Sequence, residues 1–549
     1  MTKHPAIRRS RPFVFMLALF VAPMWATFAV TNRAASESPH DVIRVGPKFE
    51  ARFVSKPVVR LAAGGKPQVD PIEANGPIFV DWPKPDLALM FTGEQMGFLE
   101  PCGCAGLENQ KGGFKRRMTL VKQLRQQDWP LIAMDTGGLV RRFGPQAQIK
   151  LARIYEGLVE MGYEAVGLGD KELRLDVLSE AANLDPNPLL SANIGLVDFD
   201  AGFTKRYLVV ERAGMKVGMT SVLGKQETAA AAAMRDLVTM PPDEAIAEVL
   251  PKLLAENCDE LVLLVYGEVA EAKDLSEKFP QFRWVVAGKG GDEPPKQPTT
   301  IPKSGARLIE IGHKGMYALV IGIYKQGEPR YRYQKVPMDH RFEDAPEMQQ
   351  LLADYQDQLK TLVTAAGSFK PLTGGNPLPL PRGGGGFAGS EVCADCHTDA
   401  CEVFMNSPHA HATETLVKLD PPRHFDPECL SCHVTGWNPQ GFAPYVSGYE
   451  SLEKTPHLVT QGCENCHGPA KDHYDAESGN IDATDVEIEN FRAALRMKVV
   501  PNEGNMEGQV LGDVVKNCLE CHDLDNSPDF DFQEYWDREE NPVKHEGKN

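Results

Sequence analysis

Apolar positions divide the chain into two stretches of different grain. From Asp86 onward, short apolar runs alternate with amphipathic ones. Asp86–Phe91, Pro130–Met134, Glu164–Leu168 and Leu189–Asn193 have strand length, whereas Gly113–Gln126, Ile149–Met161 and Pro242–Glu256 repeat apolar residues at helical spacing. Tyr207–Glu211 and Lys216–Ser221, joined by Arg212-Ala213-Gly214-Met215, predict a hairpin. Glu260–Tyr266, Arg283–Ala287, Arg307–Ile311, Ala318–Tyr324 and Tyr331–Lys335 predict further strands. This alternation predicts a layered α/β domain over 86–340. Asp344–Ala366 predicts a long helix, with Asp344 as its cap, Pro346 in its first turn and Gly367 past its end. Met348, Leu351, Leu352, Tyr355, Leu359 and Leu362 share one face of it. Periodicity then stops. Pro371–Gly389, with four consecutive glycines, reads as a linker that closes a 341–389 segment.

Past residue 390 the chain is organised by a repeated motif instead. Cys-x-x-Cys-His occurs at Cys393/Cys396/His397, Cys429/Cys432/His433, Cys463/Cys466/His467 and Cys518/Cys521/His522. This is the c-type haem attachment signal. Each thiol adds across one haem vinyl group, and the adjacent histidine becomes the proximal iron ligand. The chain has only 14 histidines, yet one follows every one of the four pairs. Zinc ribbons separate their pairs by about 15–20 residues, but here 32, 30 and 51 residues intervene. Neither zinc nor a disulfide requires the histidine. The expectation is four covalently attached haem c groups in a domain over 390–549, mainly helix and loop, with the haems forming much of its core.

Composition refines the picture at two places. Arg8, Arg9 and Arg11 precede an apolar run from Phe13 to Val30. This predicts that 1–35 is either a cleaved signal peptide or an N-terminal membrane anchor, with 36–85 as a tether. Either reading implies export, to the periplasm or the outer face of the cytoplasmic membrane. The net charge of −18 is also uneven. From Glu391 onward there are 31 acidic and 11 basic residues, a net of −20, which leaves about +2 for the rest. Nucleic acid is therefore excluded as a partner. The acidity serves either solubility or docking of a basic redox protein.

Two resemblances follow. Gly162-Tyr163-Glu164-Ala165-Val166-Gly167-Leu168-Gly169-Asp170-Lys171-Glu172, Leu190-Ser191-Ala192-Asn193-Ile194 and Lys216-Val217-Gly218-Met219-Thr220 resemble segments of the 5′-nucleotidase-type metallophosphatases. The resemblance covers about 86–337 and implies that fold. It does not extend to the family's metal ligands. Glu94-Gln95-Met96, Asp135-Thr136-Gly137-Gly138, Asp170-Lys171-Glu172, Tyr266 and Gly288-Lys289-Gly290-Gly291 stand where ligand motifs belong. A two-metal site needs converging carboxylates and imidazoles, so a degenerate phosphatase is expected. The alternative is a metal-dependent phosphoesterase rebuilt from Glu94, Asp135 and Asp170. Cys102 and Cys104 read either as a structural disulfide, to each other or to Cys258, or as a thiolate metal or redox pair. His313 reads as structural.

The C-terminal segments Ser407-Pro408-His409-Ala410, Cys463-Glu464-Asn465-Cys466-His467-Gly468-Pro469 with His473, and Tyr535-Trp536 with His545 resemble the cytochrome c-554 family of tetrahaem carriers. That resemblance implies distal iron ligation by His409, His473 and His545, and one haem without a strong sixth ligand. His411, His424 and His457 are left as either ligands or surface groups. Filled coordination favours electron transfer, whereas an open iron would admit a small nitrogen or sulfur compound as substrate.

Overall fold

The computed structural model describes residues 70–545 apart from 102–109, 178–179, 181–182, 200, 382, 498–512, 524–525, 528–529 and 538–542. The apolar N-terminal run and the pair Cys102/Cys104 lie outside the described residues. The described residues belong to one compact unit.

In chain order the α/β half comprises β1 Leu87–Thr92, α1 Phe114–Gln126, β2 Leu131–Asp135, α2 Pro145–Glu160, β3 Tyr163–Val166, β4 Ile194–Leu196, β5 Leu208–Arg212 and β6 Met215–Leu223. There follow α3 Lys225–Ala231, β7 Leu237–Thr239, α4 Pro242–Ala255, β8 Glu260–Glu268, α5 Val269–Lys278, β9 Trp284–Lys289, β10 Thr299–Thr300, β11 Arg307–Glu310, β12 Tyr317–Ile323, β13 Tyr331–Pro337 and α6 Pro346–Ala366. Two mixed sheets result, ordered β13-β12-β1-β2-β3 and β10-β11-β9-β8-β6-β5. Their inner strands β1–β2–β3 and β11–β9–β8–β6 run parallel.

β1 shows how the layers arise. All six of its residues are buried, so it reads as a continuous apolar run rather than an alternation. Leu87, Leu89 and Phe91 enter a core shared with Val217, Val262 and Leu264 of the other sheet. Ala88 and Met90 enter the opposite core, against α1, α2 and α6. The outer face of the second sheet is covered by α4 and α5. The expected strands and helices fall within a few residues of these elements. Leu189–Asn193 is an exception. Leu189 and Leu190 make only isolated bridges, to Val166 and Lys205, because Asn193 turns its side chain to Leu223 N and O at 2.8 and 2.9 Å. Asp344 does not cap α6. Ala345 occupies that position without a side-chain bond, and the Asp344 carboxylate pairs with Lys115 Nζ at 2.8 Å.

The haem-motif region adds α7 Thr398–Met405, α8 Ala412–Lys418, α9 Pro427–His433, α10 Cys463–His467, α11 Lys471–Glu477, α12 Asp485–Leu495, α13 Asp513–Cys521 and α14 Phe532–Trp536. It is docked on the α/β half. Leu416, Leu430, Val434, Trp437, Tyr449 and Leu458 belong to the same apolar core as Leu351, Leu352 and Tyr355 of α6. The expected linker is a fitted strap. Lys471 and Asp472 amides donate to Gly386 and Gly384 carbonyls at 3.1 and 2.9 Å, and Phe387 is buried. A Cβ at Gly384 would overlap the Pro469 carbonyl, and one at Gly385 the Asp472 carboxylate. Glycine here supplies close approach and positive φ, not freedom.

Candidate functional site

The repeated motif works because it is helical. Residues three and four apart lie on one face of a helix, so both thiols and the histidine of each motif point to the same side. α9 and α10 contain their motifs entire. At the first and fourth sites the same turn is closed by His397 N to Cys393 O and His522 N to Cys518 O, each 2.8 Å. Asp426 caps α9 by accepting from Glu428 N at 3.0 Å.

One attachment thiol differs from the others in exposure. Cys396 is exposed, whereas Cys393, Cys429, Cys432, Cys463, Cys466, Cys518 and Cys521 are half-buried. The physical reason is local. Cys396 and the equally exposed His397 stand in the turn between the short helix Ser390–Cys393 and α7, and exposure continues through Asp399. The first site therefore lies at the surface of the region.

Three motif histidines face a second imidazole. Ring centroids are 6.5 Å apart for His397 and His473, 6.1 Å for His409 and His522, and 5.7 Å for His467 and His545. A metal–imidazole bond of about 2 Å on each side, plus the depth of each ring, separates two axial ligands of one iron by roughly 6 Å between centroids. The three pairs fit a haem iron between them. Among the described residues His433 faces no such ring. Several rings are also turned to present Nε2. Nδ1 lies 2.7 Å from Ala412 O for His433, 2.8 Å from Leu495 O for His467, 3.0 Å from Ser527 Oγ for His522 and 2.8 Å from Val543 O for His545. A bond at Nδ1 selects the tautomer whose Nε2 lone pair is free for metal. Burial, then the nearby His522 and His433, push His409 down to about 4, which keeps it neutral. Burial likewise lowers His433, His473 and His522.

The remaining histidines do not pair. His411 sits 3.5 Å from Glu414, His457 is exposed, and His424 packs on Phe425 with its Nδ1 buried and unpartnered. The cysteines set an order among the sites. The Cys393 thiol lies beside that of Cys463, and the Cys521 thiol beside that of Cys432. Cys466 lies near Cys518, and Asn517 donates to Cys466 O at 2.8 Å. The sites therefore run first, third, fourth, second. Cys401, outside every motif and not flagged by spacing, is buried against Cys463.

The other candidate lies at the carboxyl ends of the strands. Glu94, Met96, Asp170, Tyr266, Lys289 and His313 line a cleft of about 370 Å³. Asp135 is fully buried, takes bonds from Thr92 Oγ1 (2.5 Å) and Gly137 N (2.9 Å), and lies near the buried Arg117 guanidinium. Asp170 pairs with Lys171 at 2.9 Å, and Lys289 pairs with Glu227. Both lysines are neutralised by carboxylates. Burial raises Glu94 to about 7 and Glu172 to about 8. Among the described residues no group of three or more His, Cys, Asp or Glu side chains is placed to hold a metal. His313 stands on the cleft rim, 2.8 Å from Asp292. Cys258 is a free thiol. Arg117 was visible in the sequence only as one more charge on α1. Its burial comes from the tertiary fold.

Residues 392–468 match the family model described as cytochrome c554 and c-prime. Cytochrome c-554 of Nitrosomonas europaea is 33% identical over 98 residues, covering 16% of this chain and 39% of that protein. The chain thus spans about two-fifths of that curated relative's length. Among solved structures, the 5′-nucleotidase precursor of Thermus thermophilus is similar at TM-score 0.44 and 17% identity, over 50% of this chain and 59% of that one. The calcineurin-like phosphoesterase YfkN of Bacillus subtilis gives TM-score 0.41 and 16% identity, over 50% and 97%. The C-terminal region resembles the cytochrome c-554 family, and the N-terminal half has 5′-nucleotidase and calcineurin-like phosphoesterase neighbours.

Proposed function

We propose that residues 390–549 hold four covalent haem c groups and carry electrons in the periplasm or at the outer face of the cytoplasmic membrane. On this reading the α/β half has lost phosphoesterase activity. The observation that carries it is the set of three imidazole pairs, His397/His473, His409/His522 and His467/His545, each built on a motif histidine and spaced for one iron. A bound haem supplies a one-electron couple. The chain would supply two thiols and one motif imidazole at each site and, at three of them, a second imidazole facing the first. Pyridine haemochrome assay and intact mass should give four haems per mature chain, and fewer would overturn the stoichiometry. His473→Ala should convert one low-spin haem to high-spin while the haem count holds. An unchanged spin state would remove His473 as a ligand.

A second reading rests on His433. With no ring opposite it among the described residues, the second site favours an open iron and reaction with a small nitrogen or sulfur compound. Cyanide or nitric oxide should then perturb one haem of four, whereas an inert, wholly low-spin protein would leave only the carrier role. Among the described residues no helix is long and apolar enough to cross a membrane.

The acid excess after residue 390 supports a basic redox protein as partner. Exposed charges are screened over about 8 Å at physiological salt. The rate of electron transfer to a basic acceptor cytochrome should therefore fall steeply as ionic strength rises, and a flat profile would assign the acidity to solubility.

A further inference from the structure

The attachment helix of the second site, α9, meets the α/β half through charges. Glu428, adjacent to Cys429, accepts from Lys150 Nζ of α2 at 2.6 Å, and the two side chains are only 25% and 10% exposed. Burial alone would raise the Glu428 carboxyl. Lys150 first, then Arg141 and Arg142, hold it below the usual range. Asp426, the cap of α9, is gripped by Gln146 of α2 at 2.7 Å and Gln356 of α6 at 3.1 Å. Gln146 also donates to Tyr355 Oη at 2.9 Å, and Tyr355 lies close to Cys429. A helix that only had to be packed would be served by the apolar core described above. A buried lysine and a largely buried carboxylate beside one attachment cysteine, with Arg141 and Arg142 near, call for a further explanation.

We propose that the α/β half sets the midpoint potential of the second haem, with Lys150 as the principal positioning residue and counter-charge to Glu428. This rests on the four-haem reading. Ferric haem carries one more positive charge than ferrous haem. A carboxylate left uncompensated beside it stabilises the ferric state and lowers the potential, and a nearby cation does the opposite. Because the pair is mostly removed from water, salt screens it weakly. The fold thus turns a former catalytic scaffold into the fixed electrostatic half of a redox site in the same chain.

The test uses the full-length protein and a spectroelectrochemical titration that resolves the four haems. In Lys150→Met, the potential of the second haem should fall while the other three hold. In Glu428→Gln the same haem should rise. The double variant should return toward the wild-type value, and Lys150→Arg should leave all four unchanged. A pair that only holds the helix in place predicts shifts of the same sign when either partner is removed. That outcome, or the absence of any shift, or a common shift of all four haems, would overturn the proposal. Should Lys150→Met fail to fold, Glu428→Gln and Lys150→Arg still decide it by sign. Haemochrome content is measured on every variant, so that fewer than four haems in the wild type counts against the cofactor reading and not against the tuning.

Discussion

Residues 390–549 produced without the preceding half should fail to give a soluble, folded cytochrome. The haem-motif region does not own its core. Leu416, Leu430, Val434, Trp437, Tyr449 and Leu458 share one with α2 and α6, and Trp437 packs edge-on against Phe369 at 4.9 Å. Burying such side chains stabilises by roughly 1.5–3 kcal/mol each, so six together rival the net 5–15 kcal/mol that holds a typical domain. Truncation also strands Arg423, which pairs with Glu100, and Glu428, which pairs with Lys150. In the intact chain, thermal unfolding followed by haem absorbance and by far-ultraviolet circular dichroism should therefore coincide. Two separated transitions, or a monodisperse fragment with a native haem spectrum, would contradict the shared core.

Glu464→Ala should remove a large part of the stability of the haem-motif region. The Glu464 carboxylate, 3% exposed, accepts from Ala388 N, Gly389 N and Ala470 N at 2.9, 2.7 and 2.8 Å. Burial raises this carboxyl, and the three amides work against the rise. Alanine leaves three buried donors without an acceptor. Each orphan costs about 1–3 kcal/mol, for a total of roughly 3–9 kcal/mol. Glu464→Gln keeps one acceptor oxygen and should lose less. The denaturant midpoint of haem-loaded protein measures both, and a loss below about 1 kcal/mol for alanine would contradict the anchoring role.

Much of this was legible in the chain. Continuous apolar runs located the inner strands because burial on both faces leaves β1 without an exposed side to alternate with, and period-3.6 patterns located the helices. The haem motifs were legible because their spacing is local, one helical turn. The exposure of Cys396 was not, since spacing says nothing of what packs over a turn. Contacts between distant segments were hidden as well. Asp344 looked like a cap, but Lys115 of α1 lies close enough to claim it. Four glycines looked like a flexible tether, but Pro469 and Asp472, some 85 residues on, leave no room for a Cβ at Gly384 and Gly385. Glu464 was legible as part of a family signature, and its task was not, because the three amides it binds come from two separate segments. Lys150 and Glu428 are 278 residues apart, and no periodicity links them.

The buried guanidinium of Arg117 beside Asp135, and Lys289 on Glu227, have a consequence for supply. Positive charge at this end of the sheets is carried by side chains. Here it is encoded, and so is delivered in fixed ratio with every chain the ribosome makes. A chelator has nothing to withdraw from those two positions.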